Sequence, residues 1–372
     1  MLLGEARSKC EHLAGAPLKP EGARRLYEVN LVKGALATTA IEGNTLTEEQ
    51  AMGIRDGSYK APPSRQYQEQ EIRNVLDALD ALQAEIMGGG NVQISTERIC
   101  LFNQQILKDL EVEDGVIPGE IRTHSVTVGN YRGAPAEDCR FLLDQLSAWL
   151  ESETFRNEDP EIHFALILVA AMLSHLYLAW IHPFGDGNGR TARLVEAVIL
   201  ARCGMVPMPA VHLLSNHYNL TRDRYYRELA RASESGGDTL SFIRYAVQGF
   251  VDGIREAIAQ VRDQQMQVAW VNYVHERFAE EPNTKAADRQ RALVLALPMA
   301  GPVRRANVTG VSPKVAALYA QAGPRTLSRD LNHLSQLHLI FKSNTWVRAN
   351  TAVVSAFLPP MANPQPLDGD GR

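Results

Sequence analysis

Residues 181–193 read IHPFGDGNGRTAR. Pro183 cannot continue a helix, because its ring removes an N–H and clashes with the preceding turn, while Gly185, Gly187 and Gly189 admit backbone conformations that other residues resist. A helical pattern resumes at Thr191, with Leu194, Val195 and Val198 in step. A glycine-rich turn feeding a helix N-terminus presents unpaired backbone N–H groups and the positive end of the helix dipole, which together suit an anion such as phosphate. Around that turn stand an imidazole (His182), a carboxylate (Asp186) and two guanidinium groups (Arg190 and Arg193). Asp186 can hold Mg²⁺, which favours a few carboxylate oxygens beside substrate phosphates, and the arginines can grip phosphate oxygens bidentately. A surface loop of mixed charge would account for Gly-Asn-Gly alone. It does not account for all these groups within so short a stretch.

Immediately upstream, His163–Ile181 (HFALILVAAMLSHLYLAWI) is long enough to raise the transmembrane question. It contains His163, Ser174 and His175 and runs straight into the polar loop, which predicts the buried central helix of a soluble bundle, with His175 a satisfied core histidine. Further out the apolar period is mostly helical, as in Ile72, Val75, Leu76, Leu79 and Leu82, or Phe141, Leu142, Leu146, Trp149 and Leu150. The body therefore reads as mainly α. Ser125–Val128 alternates and ends at Gly129, as a small strand or hairpin edge would. Gly88-Gly89-Gly90 and Glu281-Pro282-Asn283 are the candidate boundaries, giving regions 1–90, 91–281 and 282–358, and the polar tail 359–372 predicts disorder.

With 372 residues, 45% of them hydrophobic and 22% charged, the chain has the balance of a soluble globular protein of two or three domains, not of a disordered or fibrous one. Cys10, Cys100, Cys139 and Cys203 form neither a CxxC pair nor a metal-ligand spacing, so a reducing, cytoplasmic setting is expected. Glu5 and Arg7 interrupt any secretory h-region. The net charge of −5 hides an asymmetry: between Lys285 and Asn350 ten Lys/Arg face only Asp288 and Asp330. That basic block suits a nucleic acid or an acidic partner, and equally a solvated basic face.

The stretch His182–Arg193 resembles, without departure, the signature H-P-F-x-[D/E]-G-N-G-R-x-x-R of Fic-domain proteins. The resemblance implies a Fic helical bundle with a small β-hairpin flap and transfer of AMP from ATP to a protein Ser, Thr or Tyr hydroxyl. It implies His182 as general base, a role that an imidazole with an ordinary pKa of about 6.5 suits near neutral pH. It makes Asp186 the Mg²⁺ ligand and Gly187, Asn188 and Gly189, with the following Thr191 and Ala192, the phosphate cradle, with Arg190 and Arg193 neutralising the β and γ groups. Phe184 would be a packing anchor.

Thr38-Thr39-Ala40-Ile41-Glu42-Gly43 resembles the [S/T]-x-x-x-E-[G/N] inhibitory motif of Fic proteins whose inhibitory helix is N-terminal. Thr38 and Glu42, four apart, share one helix face, which Gly43 would terminate. The resemblance implies that Glu42 pairs with Arg193 and displaces the γ-phosphate. Val126-Thr127-Val128-Gly129 resembles the family's flap, and Tyr225-Tyr226 its tyrosine pair near the adenine, with core packing a rival reading for both tyrosines and Ser233 standing where an asparagine is common.

In the C-terminal region, Ser312-Pro313 reads as a helix start. Leu327, Leu331 and Leu334 recur on one face, leaving Arg325, Arg329, Asn332 and His333 exposed, and 339–341 could pair with 345–347. This resembles the winged-helix domain appended to many Fic cores. The implied partners are ATP, a hydroxyl-bearing protein target that can be the chain itself, a second copy in a homodimer, and DNA at the C-terminal module, with no membrane. Removal of AMP by the same site, with Glu42 orienting water, and a nucleotide-sensing DNA-binding regulator are the alternatives. Dimerisation or target docking competes with DNA for the last module.

Overall fold

The computed structural model describes residues 1–90, 92–128, 131–234, 238–320 and 322–355. The expected tail at 359–372 and Gly129 lie outside them. The chain divides into two compact units, Met1–Ala259 and Gln260–Arg372.

The first unit opens with α1 (Leu2–Ala14), α2 (Pro20–Ile41), α3 (Glu48–Asp56), α4 (Gln66–Met87) and α5 (Thr96–Ile106). A two-stranded antiparallel ribbon follows, β1 (Thr127–Val128) with β2 (Tyr131–Arg132). Then come α6 (Cys139–Leu150), α7 (Pro160–Ile181), α8 (Asn188–Arg202), α9 (Leu213–Leu220), α10 (Arg222–Glu234) and the start of α11 (Leu240–Ala279). Local chemistry sets several of these boundaries. Thr47 and Gln50 close a capping box on α3, Ser95 caps α5, and Asp159 caps α7 with Pro160 in its first turn.

Helix α7 is long and apolar enough to cross a membrane. Here it packs on α8; Phe164, Leu168, Met172 and Leu176 of α7 and Val195, Val198, Ile199 and Leu200 of α8 are all buried. Each such side chain contributes about 1.5–3 kcal/mol on leaving water, so this pair is the unit's centre. Helix α2 lies against α4 and α9, and a Cβ on Gly34 would come 3.0 Å from His212 Cγ, so the glycine permits that approach.

In the second unit follow α12 (Lys285–Ala296), β3 (Val303–Arg304), α13 (Pro313–Tyr319), α14 (Pro324–Gln336), β4 (Ile340–Lys342) and β5 (Trp346–Ala349). The strands form an antiparallel sheet in the order β3-β5-β4, with Ile340 opposite Ala349 and Lys342 opposite Val347. Ser312 caps α13 through the Val315 N–H. The core includes Trp270, Phe278, Leu293, Val308, Leu331 and Val347. Buried Asp330 accepts from Arg289 Nε (2.7 Å), Gln290 Nε2 (2.7 Å) and the Tyr319 hydroxyl (2.8 Å). Burial alone would raise its carboxyl, but these donors hold it below its ordinary value. His333, expected in the open, is half-buried instead: its ring meets Gln290 Oε1 at 2.9 Å and Glu281 at 3.4 Å. The apolar period could not show those partners, which come from other segments.

Candidate functional site

The loop 182–187 joins the two central helices. Helix α7 ends on His182, which takes the left-handed conformation (φ 49°, ψ 58°) rare for a residue with a Cβ. Arg122 holds it there. This buried arginine donates from Nε to the His182 carbonyl (2.7 Å) and also reaches the carbonyls of His124 and Ala134, while its backbone N–H donates to Pro183 O (2.9 Å). The His182 Nδ1 lies 3.4 Å from Ala179 O. A proton on Nδ1 directed at that carbonyl leaves the Nε2 lone pair free to accept a proton. Burial, with Arg122 nearby, outweighs the Ala179 carbonyl and lowers the His182 pKa, so the neutral, proton-accepting form is favoured.

Helix α8 begins at Asn188, three residues before the apolar pattern resumes. Gly187 is its N-cap in the left-handed region (φ 76°), and neither Asn188, Gly189 nor Arg190 contributes to an apolar period. Thr191 N–H makes the first bond back to Gly187 O (2.8 Å), leaving the preceding N–H groups free of intrahelical partners. Asn188 closes the loop on itself, accepting from Phe184 N (2.9 Å) and donating to Phe184 O (2.8 Å), with Phe184 buried beneath. Thr191 and Ala192 are buried, and the Thr191 hydroxyl donates to Gly187 O. Asn103 of α5 braces the turn from outside, donating to Asp186 O (2.9 Å) and accepting from Gly119 N (2.9 Å).

Asp186 stands at the mouth with its side chain 46% exposed. Arg190 is bound by Glu71 of α4 (2.8 Å) and Asp186 (3.2 Å). Burial raises the Glu71 carboxyl despite that arginine. Among the described residues no group of three or more His, Cys, Asp or Glu could cage a metal. Mg²⁺ needs no cage, since it keeps waters and substrate phosphates and takes one or two carboxylates, and half-exposed Asp186 beside an anion-binding helix end fits that demand.

Thr38 and Glu42 both reach Arg193. Arg193 Nε donates to Thr38 Oγ1 (2.6 Å), and Nη2 donates to Thr38 O (3.0 Å) and Glu42 Oε1 (2.6 Å). Burial pushes the Glu42 carboxyl up, but Arg193, with Arg190 and Arg222 behind it, brings it below its ordinary value. On its other side Arg193 Nη1 donates to the Tyr225 hydroxyl (3.4 Å), which lies 2.9 Å from His175 Nε2. His175 Nδ1 is 3.3 Å from Glu196 Oε2, and Glu196 Oε1 accepts from the Tyr218 hydroxyl (2.8 Å). Tyr226, in contrast, is 42% exposed and donates to Ile41 O.

The ribbon pairs Thr127 with Arg132 and Val128 with Tyr131, and Val126 O accepts from Gly133 N (3.1 Å). A Cβ on Gly133 would come 3.1 Å from His182 Cβ and 3.3 Å from Val126 Cγ2, so Gly133 lies between Val126 and His182. The sequence pattern gathers His182, Asp186, Arg190, Arg193 and Glu42 into one site. It gives no sign of Glu71, Asn103 or Arg122, each of which arrives from a distant element with no motif of its own.

Residues 93–200 match the Fic/DOC family. The chain is 30% identical over 254 residues to the protein adenylyltransferase fic-1 of Caenorhabditis briggsae, covering 68% of this chain and 44% of that protein. It is 29% identical to the protein adenylyltransferase Fic of Drosophila ananassae, covering 56% and 38%. It thus spans less than half the length of these curated relatives. Among solved structures, a Fic family protein from Desulfovibrio desulfuricans superposes with a TM-score of 0.55 at 22% identity, over 94% of this chain and 95% of that one. Fic-1 of Caenorhabditis elegans gives 0.58 at 25% identity, over 70% and 72%. The chain carries a Fic domain homologous to those of the Fic protein adenylyltransferases.

Proposed function

We propose that the chain is a protein adenylyltransferase that moves AMP from ATP to a Ser, Thr or Tyr hydroxyl of a protein target and is held in check by Glu42. The observation that carries this reading is the meeting of a neutral-favoured His182, the open N-terminus of α8 and the Arg193–Glu42 pair around the 182–187 loop. The target hydroxyl oxygen attacks the α-phosphorus while His182 Nε2 takes its proton. The new P–O bond forms as the bond to the pyrophosphate oxygen breaks, and pyrophosphate leaves. Backbone N–H groups of Asn188, Gly189 and Arg190 would face the phosphates, Arg190 adds positive charge, and Arg193 receives the γ-phosphate once Glu42 lets go. Mg²⁺, held by Asp186, would neutralise charge on the phosphate oxygens. The Val126–Val128 edge would present the target segment by strand addition. Incubating the full chain with Mg²⁺ and ATP and seeking an AMP adduct by mass spectrometry tests the reading. An adduct that His182→Ala abolishes supports it, and its absence from both wild type and Glu42→Gly counts against it.

A second reading concerns the C-terminal unit, where a winged helix would set α14 in a DNA major groove. What favours it is the charge arrangement. Asp288 and Asp330, the acidic residues of this block, are taken up by Arg291 and Arg289. Arg325, Arg329 and Asn332 line one groove along α14, Arg305 donates to Ser328 Oγ (3.0 Å) and Lys342 to Asn332. Arg and Asn read base edges, and a cationic face without carboxylates favours a polyanion. Binding of duplex DNA that falls steeply with added salt and is weakened by Arg325→Ala with Arg329→Ala supports it. No shift at low salt rejects it.

A further inference from the structure

We propose that His175 and Glu196 are positioning residues: they fix the direction of the Tyr225 hydroxyl and, through it, keep Arg193 in its anion-binding pose when α2 releases it. This rests on the reading that Arg193 receives a nucleotide phosphate, and it adds a part of the molecule that touches no ligand.

Among the described residues, three of the four side-chain hydrogen bonds of Arg193 go to α2 and its C-cap, through Thr38 Oγ1, Thr38 O and Glu42. The contact independent of that helix is the Tyr225 hydroxyl. A guanidinium only donates, so the Tyr225 oxygen must accept there, and its own proton has to go elsewhere. The acceptor at hand is His175 Nε2, 2.9 Å away. It can accept only while unprotonated, which places the ring proton on Nδ1, facing Glu196 Oε2. Glu196 Oε1 is occupied by the Tyr218 hydroxyl.

One proton arrangement therefore satisfies the Tyr225 hydroxyl and both His175 nitrogens together. It runs from Arg193 N–H to Tyr225 O, from Tyr225 O–H to His175 Nε2, and from His175 Nδ1–H to Glu196. His175, Glu196, Tyr218, Tyr225 and Arg193 are all at most 3% exposed, so water is not at hand to repair a reversed bond. With the proton on Nε2 instead, the Tyr225 proton would point at Arg193, donor against donor, and the guanidinium would leave its place. Ring packing alone, such as the stacked Tyr218–Tyr225 pair at 4.8 Å, does not require this polarity.

The test uses the full chain with and without Glu42→Gly, with ATP affinity, KM and kcat measured for Glu196→Leu, Glu196→Gln and Tyr225→Phe. In the Glu42→Gly background, Glu196→Leu and Tyr225→Phe should weaken ATP about tenfold, chiefly in KM, whereas Glu196→Gln, whose amide oxygen still accepts from Nδ1–H, should stay within about twofold. In the chain that keeps Glu42, where Arg193 is already occupied, Glu196→Leu should move ATP affinity less than about twofold. Equal losses in both backgrounds, or Gln as damaging as Leu, overturn the proposal. Should Glu196→Leu fail to fold, ¹⁵N NMR of histidine-labelled protein decides alone. A neutral Nδ1–H tautomer at His175 is expected, and an Nε2–H tautomer or an imidazolium refutes it. If the Glu42→Gly parent binds no ATP, the nucleotide reading fails, and the tautomer measurement still judges the positioning role.

Discussion

Removing the Glu42 carboxylate should turn the site on. Its bond to Arg193 Nη2 is 2.6 Å long and charge-assisted, with Arg193 fully enclosed and the Glu42 side chain one-third exposed. Bonds of this kind contribute about 1.5–3 kcal/mol, and the exposed carboxylate argues for the lower end. Losing about 1.5–2 kcal/mol of competition corresponds to a rise of about 10- to 30-fold in the fraction of molecules whose Arg193 is open to a γ-phosphate. The backbone tolerates the change, because Glu42 is the C-cap of α2 and Gly43 behind it already takes a positive φ of 106°. The assay sets the ATP dissociation constant beside the rate of AMP incorporation for wild type, Glu42→Gly, and Glu42→Gly with His182→Ala. The single variant should bind ATP tighter and transfer faster. The double variant should keep the tighter binding and lose the transfer. If Glu42→Gly neither binds ATP more tightly nor transfers faster, the inhibitory assignment of α2 is wrong. If it transfers more slowly, Glu42 serves catalysis, as AMP removal would require.

His182→Ala should cut transfer by about 10²- to 10⁴-fold while ATP affinity stays within about twofold, since the phosphate contacts belong to other residues, and retained transfer would exclude it as the base. Because the His182 pKa is lowered from 6.5, the acid limb of the kcat/KM profile should lie below pH 6.5, and a limb above that value would contradict the burial argument. His212, enclosed near α2, is lowered from 6.5 to about 4. Above pH 6.5 it is neutral both folded and unfolded. Below that the unfolded chain takes the proton first, so stability should fall by about 3 kcal/mol as pH drops to about 4. Chemical denaturation of wild type and His212→Gln across that window should show a shallower pH slope for the variant, and parallel slopes would refute the assignment.

What could be read from residues alone divides along physical lines. The loop at 182–193 concentrates glycine, proline and charge, whose effects are local, and the apolar run before it announces a buried helix. Thr38 and Glu42 were legible because helical spacing puts them on one face. The start of α8 was not, because the left-handed N-cap at Gly187 is a backbone event without an apolar signature. Arg122, Asn103 and Glu71 were illegible for another reason. Each acts across more than fifty residues of chain, and only packing of α4, α5 and the segment after α5 brings them to the loop. His175 read as an interior residue, and it is one. That it forms part of a polar chain ending on Arg193 depends on Glu196 and Tyr225, which no local pattern connects.

Gly189 gives the Glu42–Arg193 pair a further meaning. Its φ is not in the left-handed region, so the backbone does not demand glycine, and alanine would favour the helix by about 1 kcal/mol. Yet a Cβ there would collide with Glu42 Oε1 and lie 3.0 Å from Arg193 Nη1. The missing methyl leaves room for the Glu42 oxygen above the arginine, and on the proposed function an incoming phosphate would compete for that space. On that function, Glu42 would act as a competitive inhibitor on a tether, present at an effective concentration that dilution cannot lower. Its potency would then depend on how often the last turn of α2 frays as well as on the carboxylate, so whatever loosens that turn from outside would act as an activator without entering the pocket.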